Sequence, residues 1–336
     1  MNSSSCSVQL HLRLGRTLSW STAAVFLALL SSVSTCAQDS KRHFELQAQS
    51  PKFWDLIPHD AKLETVATGF GFTEGPVWDR SGFLYVSDET LNKIFRVYVS
   101  AGRKEEVISL GDPDGSTYDQ HGRLIDCASV LRAIIGVSKD GKYKILADNF
   151  EGKKFNSPND VVTGPDGALY FTDPTLDLPE GQKQEIPFQG VYRLDPSGSV
   201  RLLTRDLTQP NGLAFSPDGK RFYVDDSAQK NIRVYDFAAN ATLSNGHIFG
   251  EEPGGKGEGV PDGIKVDESG NLFVTGPKGI WIWSPQGVHL GTIAMPEQPA
   301  NLTWGEPDLR TLYITATTSV YRLRTNAKGF QAAGHD

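Results

Sequence analysis

Short apolar runs separated by polar turns recur along this chain, and no stretch keeps a helical apolar period over three turns. A turn with Pro, Asn, Asp or Gly leads into an apolar strand. A Gly turn then leads into a second one. The clear copies are GFTEGPVWDRSGFLYVSDE (Gly71–Glu89), NSPNDVVTGPDGALYFTDP (Asn156–Pro174), TQPNGLAFSPDGKRFYVDD (Thr208–Asp226) and GVPDGIKVDESGNLFVTGP (Gly259–Pro277). Weaker copies are DGSTYDQHGRLIDC (Asp114–Cys127) and QPANLTWGEPDLRTLYITA (Gln298–Ala316). Further strands follow the hairpins, such as KIFRVYV (Lys93–Val99), NIRVYDF (Asn231–Phe237) and GIWIWS (Gly279–Ser284). The copies open near positions 74, 115, 159, 211, 262 and 301, a spacing of roughly 40–50 residues that suits four-stranded blades. The pattern predicts an all-β, six-bladed β-propeller over residues 61–325. LETVAT (Leu63–Thr68) has no blade of its own and is the strand expected to close the ring with the C-terminal repeat.

The first 37 residues differ in kind. Arg13 and Arg16 precede the apolar run Ala23–Leu30, and small residues follow it. That order reads as a secretory signal cleaved after Ala37, with lipidation of Cys36 as the alternative. The expected location is periplasmic or secreted, with no stable membrane span because the run is short. Residues 38–60 form an N-terminal extension in which Phe53 and Trp54 are candidate anchors, and residues 326–336 form a tail. Loss of the leader leaves Cys127 as the remaining cysteine, so no internal disulfide is expected. The formal net charge is −7 and no Lys/Arg run exceeds two, which argues against a nucleic-acid partner. The pattern carries no information on oligomeric state.

Candidate chemistry sits at the strand openings. In a ring of such units the opening residues converge on the axis, and there stand Glu74, Asn159, Asn211 and Asp262. Two carboxylates and two amide carbonyls are hard oxygen donors, suited to Ca²⁺, with Mg²⁺ and Mn²⁺ as alternatives. Zn²⁺ is less natural without His or Cys in the set. Each Pro-Asn or Pro-Asp alone is an ordinary turn former, so the weight lies in the shared position. Asp262 could orient a water or take its proton, and Lys154, shortly before Asn159, could donate to a bound oxyanion. No G-x-S-x-G elbow is present.

EGP-W (Glu74–Trp78), GKKFNSPND (Gly152–Asp160), PFQGVYRLDP (Pro187–Pro196), QPNGLAFSPDGK (Gln209–Lys220), PDGIKVDESGNLFVTGPKGIW (Pro261–Trp281) and PANLTWG (Pro299–Gly305) together resemble the SMP-30/gluconolactonase family, in its bacterial gluconolactonase-like branch. The resemblance covers about Leu63–Leu323. It implies a six-bladed propeller with one axial divalent metal and hydrolysis of a sugar lactone or related cyclic ester. By motif, Glu74, Asn211 and Asp262 would be metal ligands. Asn159 would complete the site or touch substrate, Asp262 would be the base, and Lys154 would contact substrate. Departures from the family pattern fall at Asp114–Thr117, Ala128–Val137 and Thr172–Pro179. The competing reading is a secreted, metal-stabilised propeller that binds sugars or protein without catalysis.

Overall fold

The computed structural model describes residues 42–331, so the leader and its cleavage point lie outside the described residues. Six antiparallel sheets account for the repeats. Blades 1, 2, 4 and 6 begin with inner strands Thr73–Asp79, Pro113–Tyr118, Pro210–Phe215 and Pro299–Gly305. Blades 3 and 5 begin with the shorter Val161–Thr163 and Ile264–Val266. Successive inner strands lie side by side, and the last lies against the first. The fold is the expected six-bladed propeller.

The alternation of side chains explains why the strands read as continuous apolar runs. In blade 1, Leu84 and Val86 pack toward blade 6, while Phe83 and Tyr85 pack toward blade 2. In blade 4, Phe222 and Val224 face blade 3, and Tyr223 faces blade 5. Both faces of each blade are therefore buried, and a period-2 strand needs apolar residues at every position.

Leu63–Thr68 pairs antiparallel with Ser319–Arg324, Leu63 opposite Leu323, and closes the ring as expected. The N-terminal extension goes further than an anchor. Its strand Glu45–Ala48 adds a fifth strand to blade 5, Glu45 opposite Ala294. Phe53 follows, fully buried between blades 5 and 6. A Cβ at Gly291 would meet Phe53 Cδ2 at 2.5 Å, so this close approach requires glycine. At the other end, residues 326–331 also pack on the ring. Asn326 N donates to Leu56 O at 2.9 Å, and Phe330 N to Val266 O at 3.0 Å.

Candidate metal centre

The inner strands of blades 1, 2, 4 and 6 start with an irregularity in their pairing, between Glu74 and Val77, Pro113 and Ser116, Pro210 and Leu213, and Pro299 and Asn301. A bulge breaks the strict alternation and re-aims a side chain. Here it releases the opening residues from the interblade cores. In blades 3 and 5 the opening residues Asn159 and Asp262 stand just ahead of the regular strand. The residue after the opening one is often Gly, because the next blade lies against it. A Cβ on Gly75 would meet Asp114 O at 2.1 Å, and one on Gly212 would meet Asp262 O at 1.9 Å.

Three asparagines bridge three blade boundaries to three carboxylates. Asn159 Nδ2 of blade 3 donates to Asp114 Oδ2 of blade 2 at 2.7 Å. Asn211 of blade 4 donates to the Asp262 carboxylate of blade 5, and also to Ser227 Oγ at 3.2 Å. Asn301 Nδ2 of blade 6 donates to Glu74 Oε2 of blade 1 at 2.9 Å. Glu74 Oε2 also accepts from Gly75 N at 2.8 Å. Glu74, Glu89 and Asp114 each offer an oxygen, all within 4.8 Å of one another. Glu74 and Asp114 are buried, while Glu89 and Asp262 are half-buried.

Such a group repels itself. Burial, then the charge of Asp160, raises Glu74 from 4.5 to about 7, against the opposing hydrogen bonds of Gly75 and Asn301. Burial pushes Glu89, Asp114 and Asp262 well above the usual carboxylate range, and Glu74 charge acts on all three. Asp177, from the polar loop after Asp173, is also raised by burial and accepts a hydrogen bond from Asn159. Clustered, desolvated carboxylates are held apart from their preferred charged state unless a cation joins them. The donors are all hard oxygens, so the group fits a hard divalent cation, and Glu74, Glu89 and Asp114 could hold one.

The structure brings Glu74, Asn159, Asn211 and Asp262 to the strand openings around this group. It sets Lys154 apart, exposed on a two-residue ribbon paired with Asn149–Phe150. Its backbone makes the described contacts: its amide donates to Glu185 Oε2 at 3.0 Å, and its carbonyl accepts from Arg132 at 3.4 Å. Two acids are additions to the sequence reading. Asp114 had a signal, since it opens the second copy as Glu74 opens the first. Glu89 follows the second strand of its blade, and no repeat position singles it out. Asp226 is structural: its carboxylate accepts from the amides of Thr208, Gln209, Ala228 and Gln229. Cys127 is a fully buried free thiol.

Fold and site together define a six-bladed propeller with an acidic, oxygen-rich axial centre. Residues 72–318 match the SMP-30/Gluconolactonase/LRE-like region, and the chain belongs to that family. It is 35% identical over 306 residues to a gluconolactonase of Zymomonas mobilis, covering 83% of this chain and 86% of that one. It is 27% identical over 259 residues to a pentonolactonase of Haloferax volcanii, covering 74% and 83%. A solved gluconolactonase from Xanthomonas campestris superposes with a TM-score of 0.77 at 29% identity, covering 83% of this chain and 94% of that one.

Proposed function

We propose that this chain hydrolyses a sugar lactone, using a divalent cation, calcium first, held at the axis by Glu74, Asn211 and Asp262 together with Asn159. The observation that carries this reading is the axial group of desolvated carboxylates, in which oxygens of Glu74, Glu89 and Asp114 lie within 4.8 Å of one another and Asp262 feels the charge of Glu74; Glu89 and Asp114 are further candidate ligands. Similarity to lactone-opening relatives supplies the substrate class. Calcium is favoured over zinc because the donors are carboxylates and amides, without His or Cys. When bound, the cation would polarise the ester carbonyl and hold the negative charge developing on its oxygen.

The remaining work falls to side chains. Asp262 is half-buried, so it has access to solvent, and the Asn211 amide orients its carboxylate. In this reading it takes the proton of a water whose oxygen bonds to the carbonyl carbon. The ring C–O bond then breaks, and the departing ring oxygen receives that proton, giving the open hydroxy acid. Asn159 contacts substrate as well as the cation, while Lys154, set apart on its exposed ribbon, has no part at the axis in this reading. The leader places the mature chain outside the cytoplasm in this proposal, where calcium sites commonly work at about 10⁻⁴–10⁻³ M.

The test is acid release, followed by pH-stat, from a panel of aldonolactones and aliphatic lactones with calcium and then with chelator. Turnover that needs calcium is expected. Absence of turnover on every lactone would favour the non-catalytic binding propeller. On the best substrate, Asp262→Asn at saturating calcium should lower kcat by about 10²–10⁴-fold, as for loss of a general base. A near-wild-type kcat would remove Asp262 from the proton transfer.

A further inference from the structure

Lys265 lies three residues beyond Asp262 on the inner strand of blade 5, about 10 Å further along the chain. It lines a cavity of about 110 Å³ shared with Val77, Thr117, Thr163, Trp304 and Phe330. That cavity sits among the inner strands, and residues from all six blades line it. A lysine in such a place needs a partner.

Its partner is Asn301. Lys265 Nζ donates to Asn301 Oδ1 at 3.1 Å. The same oxygen accepts from Leu302 N at 2.9 Å. Two donors on Oδ1 fix the orientation of the amide, because the opposite orientation would set NH₂ against an ammonium and an N–H. The Nδ2 end is thereby committed to Glu74 Oε2 at 2.9 Å, and it also favours the charged form of the nearby Asp160 carboxylate. Asp160 is itself buried, 2% exposed, and its Oδ2 has no hydrogen-bond partner. Lys265 also acts electrostatically on both Glu74 and Asp160 in the direction that favours their charged forms.

We propose that Lys265 is a positioning residue for the axial cation: from the cavity beneath the carboxylates it fixes the Asn301 amide, which holds Glu74 in its cation-binding orientation. This rests on the reading that Glu74 holds the cation. Two other roles predict different results. A simple counter-charge would repel the metal, so its removal would tighten binding. A plug for the cavity would alter stability and leave affinity alone.

Calcium titration calorimetry on the full chain separates these roles. Lys265→Met should weaken calcium binding about 10–100-fold, the usual cost of losing a group that orients a ligand. Lys265→Arg, which keeps a donor, should recover most of the affinity. Asn301→Ala should weaken binding at least as much as Lys265→Met. The double variant should match Asn301→Ala alone, since one residue acts through the other. If Lys265→Met does not fold, Lys265→Leu, which also lacks a donor, carries the same comparison. Unchanged or tighter binding in the Lys265 variant, or losses that add in the double variant, would overturn the proposal. Glu74→Gln belongs in the same series. If it loses calcium while Lys265→Met does not, the positioning role alone falls. If Glu74→Gln itself binds normally, the axial cation reading falls and takes this role with it.

Discussion

Glu74 shows how much a single residue depends on its surroundings. Without a cation its carboxyl is held near 7, against an ordinary 4.5, chiefly by burial. Between those two values the folded chain binds more protons than the unfolded one. The stability this group contributes is therefore fully present below pH 4.5 and is lost as pH rises toward 7. A cation reverses the preference, because it requires the anion. In chelator, urea midpoints should fall as pH rises from 4.5 to 7. With saturating calcium the fall should shrink, and calcium affinity should increase over the same window. Midpoints that follow one curve with and without calcium would contradict the linkage. The amides matter as much as the acids. Asn159, Asn211 and Asn301 each hold a carboxylate of a neighbouring blade, so each is a strut between blades as well as a candidate part of the site.

At the scale of elements, the inner strand does two jobs. Its first residues carry the axial chemistry, and its later residues join the interblade cores, as Val77 and Trp78 do on the two sides of blade 1. The bulge between Glu74 and Val77 separates these jobs. The N-terminal strand Glu45–Ala48 and the one-turn helix Phe53–Leu56 serve stability. Phe53 is fully buried among Ile282, Leu290, Ile293 and Leu302 of blades 5 and 6. Phe53→Ala should lower unfolding free energy by about 3–5 kcal/mol, the usual cost of emptying such a site. Equilibrium urea denaturation reads this directly, and a loss under 1 kcal/mol would mean that the extension is not part of the folded core. Calcium affinity should be unchanged, because Phe53 packs in that core and not among the axial carboxylates.

For the whole molecule, closure and charge oppose each other. Pairing of Leu63–Thr68 with Ser319–Arg324 ties the first described blade strand to the last and leaves the ring without an open seam. The same closure forces Glu74, Glu89, Asp114, Asp160 and Asp262 into one electrostatic neighbourhood, where each raises the cost of charging others. Cation binding should relieve that repulsion across the entire ring. At calcium one hundred times its Kd, the folded state should gain about 2.7 kcal/mol by mass action. Scanning calorimetry with calcium and with chelator would show this as a shift in Tm, and Glu74→Gln should remove most of it. A shift that survives Glu74→Gln would place the responsible cation elsewhere.

The sequence by itself determined the architecture. Apolar runs of strand length at a regular spacing, with a Gly turn inside each copy, have few ways to bury both faces, and the orphan strand Leu63–Thr68 had one unmatched blade to complete. It also marked Glu74, Asn159, Asn211 and Asp262, because a repeat gives each opening residue the same address. Tertiary structure decided which side chains meet. Glu89 joins the site from the turn after a second strand, where the pattern assigns no common position. Asp114 opens a degenerate copy, and only the axial geometry sets its oxygen beside those of Glu74 and Glu89. The fifth strand of blade 5 and the placement of Lys265 beneath Asn301 are likewise contacts between distant segments. The reason is physical: periodicity records which face of a strand is buried, a local property, while a shared pKa or an asparagine reaching across a blade boundary depends on distances that exist only after the ring has closed.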